Sequence, residues 1–558
     1  MKFVDVTRVR SRFDEPLISR DGVRLSVDVY LPPEAGRYPV LITRTPYDNN
    51  RLKRAGVSGT ALLPSPADQF KKFAAHGFIV VAADVRGCGD SEGSFIPFAH
   101  ESEDGADTVQ WARALAECNG RVGAFGSGYA AWAALAAATE APIDAIAVWS
   151  PFGAEGTPFR GGALRLDWLL WMQLVGGRAL QPVDVPAWDE IFRHRPLVSM
   201  HEALGRENAP WPDWLDGSDP LRQLDLDLGS CTAAILFVTG WWDSALGATL
   251  RYWDAVGGRN GNALLVGPWD TEGVRQPRAD IGGVTWGPRA VIDPDELLIE
   301  WVSAHLNGEG AAERGARVFL TGRNDWVTLD TLETGDGSAT LWLDSGGRAN
   351  TRRGDGRLVG AAPRDSPPDR FTHNPDEPVR WQPGGQSFSR SSPEKLTLDT
   401  AFATSRDDVL VYESDPTSSS VVICGRPVAT LCVQSTAQDA DWIVALEDVF
   451  PGGGSSVHLA HGIVRTGAVA KAKPGQRVEL TIELTPVAHE LLPGHALRLL
   501  VASSLWPLYA VNLGGDDYLR DTEPRVSEHT VFHDGGFPSR LDLPMRGLPH
   551  PRAIGSEG

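Results

Sequence analysis

Cysteine is scarce in this chain: five among 558 residues, an odd number, with no CxxC spacing. That excludes a disulfide framework and a cysteine zinc site as organising devices. No apolar stretch approaches the roughly 20 residues that a membrane helix needs, so no membrane partner is expected. The opening MKFVDVTRVR lacks the apolar run of a signal peptide, and a cytoplasmic protein is the simpler expectation. Positive charge is in deficit: Lys and Arg number 52 against 72 Asp and Glu, a net charge of −20. So acidic a chain repels phosphate backbones, which argues against nucleic acid as a partner. Histidine is absent from the whole stretch between His201 and His305. No HExxH or clustered ligand set is visible, so no metal or cofactor is expected.

What is there reads as a folded protein: 42% apolar and 22% charged residues. The length suits about two to four domains. Through residue 315 or so, strand-like and helix-like segments alternate. Val23–Leu31, Pro39–Thr45, Phe78–Asp84, Arg121–Gly126, Ile143–Ser150, Ala233–Gly240 and Ala263–Gly267 read as strands. Asp107–Ala116 and the alanine-rich Tyr129–Glu140 read as helices. This alternation predicts a parallel sheet covered on both faces. Between Pro151 and Leu228 it fails, giving way to helix-like pieces, prolines and tryptophans, which predicts a cap over the sheet. From about Ala316 short β-rich runs dominate, and a sandwich or jelly roll is expected. Arg348–Pro393, rich in Pro and Gly, is expected to be a long surface loop.

Enzymes on such sheets place a nucleophile on a sharp strand-to-helix turn, where the residues two before and two after must be small. Here RVGAFG runs into YAAWAALAAA through Ser127 and Gly128. With Ser127 at the tip, the flanks are Phe125 and Tyr129, both too large. With Gly128 at the tip, the flanks are Gly126 and Ala130, and both fit. The sequence keeps the shape of a nucleophile elbow and puts glycine at its apex.

Other landmarks follow in order: Arg44-Thr45-Pro46-Tyr47-Asp48, Asp84-Val85-Arg86-Gly87-Cys88-Gly89, Glu103-Asp104-Gly105, Gly240-Trp241-Trp242-Asp243 and Gly267-Pro268-Trp269. With the elbow, they make the chain resemble the family of cocaine esterase, X-prolyl dipeptidyl aminopeptidase and α-amino acid ester hydrolase, over nearly its whole length. The resemblance implies an α/β-hydrolase domain with a helical cap insertion and a C-terminal all-β jelly roll. Its boundaries here would be 1–150 with 229–315 for the hydrolase domain, 151–228 for the cap and 316–558 for the jelly roll. It also implies a Ser-His-Asp triad. The aspartate position falls on Asp243, but the serine position holds Gly128 and the histidine position holds Thr271. The implied oxyanion hole, the Tyr47 hydroxyl and the Tyr129 amide, is retained.

Losing the serine or the histidine alone costs about as much as losing the triad, on the order of 10⁶ in turnover. The favoured expectation is therefore a small-molecule enzyme that has left serine chemistry and acts on a carbonyl compound by acid/base steps. Asp243, Tyr47 and Asp270 are its candidate catalytic residues. Asp270 enters because a second carboxylate near Asp243 can push one pKa up. Two alternatives stand: an ester or amide hydrolase through a displaced Ser127, and a non-catalytic small-molecule-binding protein. Twelve of the 19 tryptophans fall between Trp149 and Trp301. Of these, Trp149, Trp168, Trp171, Trp242 and Trp269 are candidate walls of a pocket for an apolar or cationic ligand. Cys88 is expected to be a small filler, and a homodimer remains open.

Overall fold

The computed structural model describes residues 5–49, 66–153, 157–181, 183, 187–206, 210–216, 224–310, 314–329, 332, 337–350, 353–381, 398–470 and 472–547. Ten strands make the first sheet: β1 (Arg10–Ile18), β2 (Arg24–Leu31), β3 (Tyr38–Thr45), β4 (Ile79–Asp84), β5 (Cys118–Ser127), β6 (Ala145–Trp149), β7 (Ala234–Trp242), β8 (Ala263–Asp270), β9 (Gly315–Leu320) and β10 (Asp325–Leu329). Their order is β1-β2-β4-β3-β5-β6-β7-β8-β9-β10. β4, β6, β7 and β8 are buried at every position, as strands covered on both faces must be. The expected parallel sheet is parallel from β4 to β9, while β1, β2 and β10 run antiparallel at its edges.

Three helices matter for the site: α1 (Pro66–Ala75), α2 (Glu101–Arg113) and α3 (Tyr129–Glu140). Nearly all of α3 is buried, and its alanines let it sit close to its neighbours. A Cβ on Gly105 of α2 would lie 3.0 Å from the Ala137 Cα. α2 starts six residues before the expected Asp107, because its acidic first turn is held inside the protein. Glu101 Oε2 pairs with the buried Arg44 at 2.7 Å, and Asp104 with Arg86 at 2.7 Å. Carboxylates also suit a helix N-terminus.

Two sequence-based boundaries move. The jelly roll does not begin at 316: β9 pairs in parallel with β8, and β10 closes the sheet as a hairpin with β9. Within the expected loop Arg348–Pro393, Arg357–Val359 and Asp369–His373 are strands of the C-terminal domain. Asp369 is fully buried there and accepts hydrogen bonds from the Ser345 and Tyr412 hydroxyls. Residues 382–393 of that expected loop lie outside the described residues.

The C-terminal domain is all-β: among the described residues 13 strands from Gly337 to Met545 join in one network, and Arg380–Trp381 pairs separately with Trp506–Pro507. The cap contributes α4 (Asp167–Leu174) and the short helices Trp188–Phe192 and Trp211–Leu215. A tight hairpin, Phe159–Arg160 against Ala163–Leu164, ties the cap to the all-β domain. Arg465 donates its backbone N–H to the Gly161 carbonyl at 2.7 Å and its Nε to the Gly162 carbonyl at 2.9 Å. Ala163 shares a small apolar cluster with Ile443, Ile463 and Leu500.

Buried titratable groups set a pH dependence. Burial pushes His458 and His529 down to about 3, against about 6.5 for an unfolded histidine. Below pH ~6.5 the unfolded chain takes up protons that the fold refuses, so stability falls by about 1.4 kcal/mol per pH unit for each such histidine. Burial pushes Asp84 up to about 7 and, with the Asp439 charge adding, Asp441 up to about 8. These carboxyls keep protons that the unfolded chain releases above pH ~4, so they lose stability progressively from pH ~4 up to their folded values of about 7 and about 8. The two effects offset each other between pH ~4 and ~6.5, so thermal unfolding is expected to show a broad stability maximum there and a fall on both sides. Asp441→Asn is expected to remove most of the loss on the alkaline side; an unchanged alkaline arm would contradict this assignment.

Candidate active site

The elbow is present. β5 ends at Ser127, and α3 starts at Tyr129. Gly128 between them has φ 61° and ψ −118°, a backbone region that penalises side chains. The Gly128 N–H is held by the Trp149 carbonyl at 2.9 Å. A Cβ built on Gly128 meets only Phe152, at 3.8 Å, so the apex has room for a side chain that the sequence no longer supplies. At Gly126 a Cβ would overlap the Ala130 carbonyl and lie 2.7 Å from the Ala131 nitrogen. The small flanking residue is thus still required although the nucleophile is gone. Ser127 is half-buried at the strand end, and its hydroxyl bonds to no base among the described residues.

The two residues expected to form an oxyanion hole, Tyr47 and Tyr129, lie close to Trp171. As the first residue of α3, Tyr129 presents an N–H with no partner in its own helix. The Tyr129 side chain is locked beneath: its hydroxyl donates to Glu101 Oε1 at 2.8 Å and accepts the Phe98 N–H at 3.0 Å. Burial pushes this phenol well above its ordinary pKa. Trp171 links the two tyrosines. It stacks on Tyr129 at 6.0 Å, and its indole N–H donates to the Tyr47 hydroxyl at 2.9 Å. Accepting that bond orients the Tyr47 hydroxyl. Trp168 and Trp171 pack with Phe98, Phe152 and Trp214 as an aromatic roof near the elbow.

Asp243 follows β7 and is buried. Thr271, at the end of β8, donates its hydroxyl to Asp243 Oδ1 at 2.8 Å. Thr239 donates to Oδ2 at 2.8 Å, and the Ala245 N–H reaches Oδ1 at 3.3 Å. A hydroxyl therefore satisfies the carboxylate on the side where the resemblance places a histidine, and it cannot act as a base at neutral pH. Because the Thr271 proton goes to Asp243, the Ser244 hydroxyl 3.1 Å away donates to Thr271.

Asp270 does something other than expected. It caps the short helix Thr271–Arg275, accepting the Gly273 N–H at 2.6 Å, and Arg278 stands 3.6 Å away. Burial raises its pKa, with the Asp243 charge only a minor contribution. Trp269 is not a pocket wall either. It is fully buried, donates to the Ala290 carbonyl at 2.8 Å, and fills the space that Gly240 and Gly267 leave open. Trp149 is buried at the end of β6. Trp242 stacks on Trp286 and donates to the His458 carbonyl at 3.2 Å. Cys88 is a buried filler, its thiol pushed up to about 12 by burial.

Sequence reasoning missed the groups facing Asp243. A cavity of about 40 Å³ has Asp243, Ser244 and Trp242 on one side. Arg160 and Arg165 from the cap face it, and His458, His461 and Tyr509 come from the all-β domain. His458 and His461 are three apart, which on a regular strand puts them on opposite faces. A bulge places them together: Glu447 pairs with His458 and Leu446 with Ala460, leaving Leu459 unpaired. Their rings then meet, His458 Nε2 to His461 Nδ1, at 3.3 Å.

A family model for X-Pro dipeptidyl-peptidases (S15 family) matches residues 21–270, and one for the X-Pro dipeptidyl-peptidase C-terminal non-catalytic domain matches residues 307–542. The cocaine esterase of Rhodococcus sp. (strain MB1 Bresler) is 28% identical across 94% of this chain and 97% of its own. Two solved structures share the fold over 98% of both chains, each at 23% identity. They are an α-amino acid ester hydrolase, TM-score 0.83, and an aminopeptidase from a marine sediment Thaumarchaeota archaeon, TM-score 0.82.

Proposed function

The chain belongs to the X-Pro dipeptidyl-peptidase and cocaine esterase family of hydrolases, and from that premise we propose that it acts on a small carbonyl compound without forming a serine acyl-enzyme. The observation that carries the reading is the Thr271–Asp243 bond of 2.8 Å, which closes off the carboxylate a catalytic histidine would need. Gly128 at the elbow apex supports it, since no side-chain nucleophile remains there. What persists suits carbonyl polarisation: the Tyr47 hydroxyl with its Trp171 donor, and the N–H of Tyr129 at the positive end of α3. In this reading the substrate carbonyl lies against those donors, and Asp243 with Ser244 handles the proton in a cyclisation, isomerisation, elimination or water-assisted hydrolysis. Donors of this kind, without a triad, give roughly 10³–10⁴ over water.

The test is turnover of a panel of esters, lactones, amides and enolisable ketones, followed for loss of substrate and appearance of product. Asp243→Asn is expected to reduce turnover by about 10² or more while the protein stays folded, and Tyr47→Phe by about tenfold or more. Ser127→Ala is expected to leave it unchanged. Activity lost only in Ser127→Ala would establish a displaced-serine hydrolase instead, and saturable binding without any product would make this a binding protein.

A further inference from the structure

We propose that the cavity between the cap hairpin, the Asp243–Ser244 loop and the bulged His458–His461 strand binds the carboxylate of a small organic acid, with Arg160 as its counter-ion. This deepens the reading above, resting on it for the idea that the site serves a small carbonyl compound, and it names the group that anchors that compound.

Size comes first. A single water needs about 10–15 Å³, so a space of about 40 Å³ takes a headgroup the size of a carboxylate and not a whole ligand. Trp242, Leu508 and Tyr509 supply apolar walls against which the body of an acid can lie.

The charges then decide the sign. Arg165 is buried and balanced by Asp167 at 2.5 Å. Arg160 stands beside the Tyr509 hydroxyl, and among the described residues no carboxylate pairs with it. Asp243, the acidic group in the wall, already accepts from Thr239, Thr271 and the Ala245 N–H, so most of its acceptor capacity is taken up within the protein. The expected apolar or cationic ligand is thereby narrowed to an apolar acid.

The imidazoles point the same way. His458 is 1% exposed, and its Nδ1 is buried without a hydrogen-bond partner. A buried polar atom left unpaired costs about 1–3 kcal/mol, and a ligand that satisfies it recovers that energy. His461 faces Arg160 and Arg165 from the hairpin, His458 on its own strand, Tyr509 from the neighbouring loop, and Asp243 across the cavity. Asp167 stands behind Arg165. Burial, then the Arg160 charge, keeps His461 neutral. An anion seated among these groups reverses the local field and favours the imidazolium, so binding takes up a proton and tightens as pH falls.

The backbone holds this arrangement in place. A Cβ on Gly161 would overlap the Ile463 carbonyl oxygen, and the residue has φ 54°. Together with the two Arg465 bonds to Gly161 and Gly162, this contact fixes the hairpin that carries Arg160 against the histidine strand.

The experiment is isothermal titration calorimetry of the full chain with benzoate as the probe and benzamide as its uncharged counterpart. It is run near pH ~6 and near pH ~8, in two buffers of different ionisation enthalpy to read proton uptake. Benzoate is expected to saturate one site, bind at least about tenfold tighter than benzamide, and tighten toward the lower pH. Arg160→Gln is expected to weaken benzoate by about tenfold or more, and Arg160→Lys to restore part of that loss. His461→Phe is expected to abolish proton uptake. No saturable benzoate binding, equal binding of benzamide, unaltered binding in Arg160→Gln, or proton uptake unchanged in His461→Phe would each overturn the proposal. Because binding is read without turnover, this proposal and the acid/base reading fail separately. Benzoate held by Arg160 in a protein that turns nothing over removes only the acid/base reading. Turnover that benzoate does not inhibit removes only this one.

Discussion

Gly128→Ser combined with Thr271→His is expected to gain aryl-ester hydrolysis by at least about a hundredfold over either single variant. The backbone at the apex already has φ 61° and ψ −118°, and the nearest atom to a new Cβ is Phe152 Cε2 at 3.8 Å. An imidazole in place of the Thr271 hydroxyl would inherit Asp243 Oδ1 as its partner, since that oxygen is where Thr271 now donates at 2.8 Å. The proposed hole beside it is left as it stands, with Trp171 donating to the Tyr47 hydroxyl at 2.9 Å. Neither single variant should gain, because nucleophile and base act as a unit. Gly128→Ser alone should lose about 1–2 kcal/mol of stability, the penalty for a side chain at left-handed φ. A folded double variant with no more activity than the singles would mean that the hole or the pocket has degenerated along with the triad.

Gly126→Ala is expected to destabilise the protein by about 3 kcal/mol or more, at or above the upper end of what overpacking a core costs. Its new Cβ would overlap the Ala130 carbonyl and sit 2.7 Å from the Ala131 nitrogen, and these are backbone atoms inside a buried helix that cannot rotate away. Gly128→Ala, two residues along, meets nothing closer than 3.8 Å and should lose only the backbone term, about 1–2 kcal/mol. Chemical denaturation of the two variants side by side reads the difference. Equal losses would show that the turn can relax, and that its shape is not what holds Gly126 to glycine.

The sequence was most legible where a local rule acts. β4 is a continuous apolar run, and α3 an alanine run; both elements lie within a residue of where patterning puts them. The elbow was legible because steric bulk at Phe125 and Tyr129 decides which residue can stand at the apex. The boundary near residue 316 was not, because β9 looks like any short β-rich run until its parallel partner β8 is known. For Asp270 the sequence leaves both a carboxylate pair and a loop residue open, and its cap role was not legible because the five-residue helix Thr271–Arg275 is too short to show a period. His458, His461 and Arg160 were illegible for a different reason. Their meeting with Asp243 depends on a bulge at Leu459 and on a cap hairpin docked to another domain, neither of which leaves a periodic trace. The gap in histidines between His201 and His305 correctly indicated that no base lies near Thr271 in the chain, but chain distance does not govern what the all-β domain brings across.

The central claim, that serine chemistry has left this scaffold while its carbonyl-binding frame remains, is tested most directly by intact mass spectrometry of the folded protein after incubation with a fluorophosphonate probe. The expected result is no adduct on the unaltered chain and a single adduct, at position 128, on the Gly128→Ser/Thr271→His variant. An adduct on Ser127 of the unaltered chain, with ester turnover that disappears in Ser127→Ala, would contradict it.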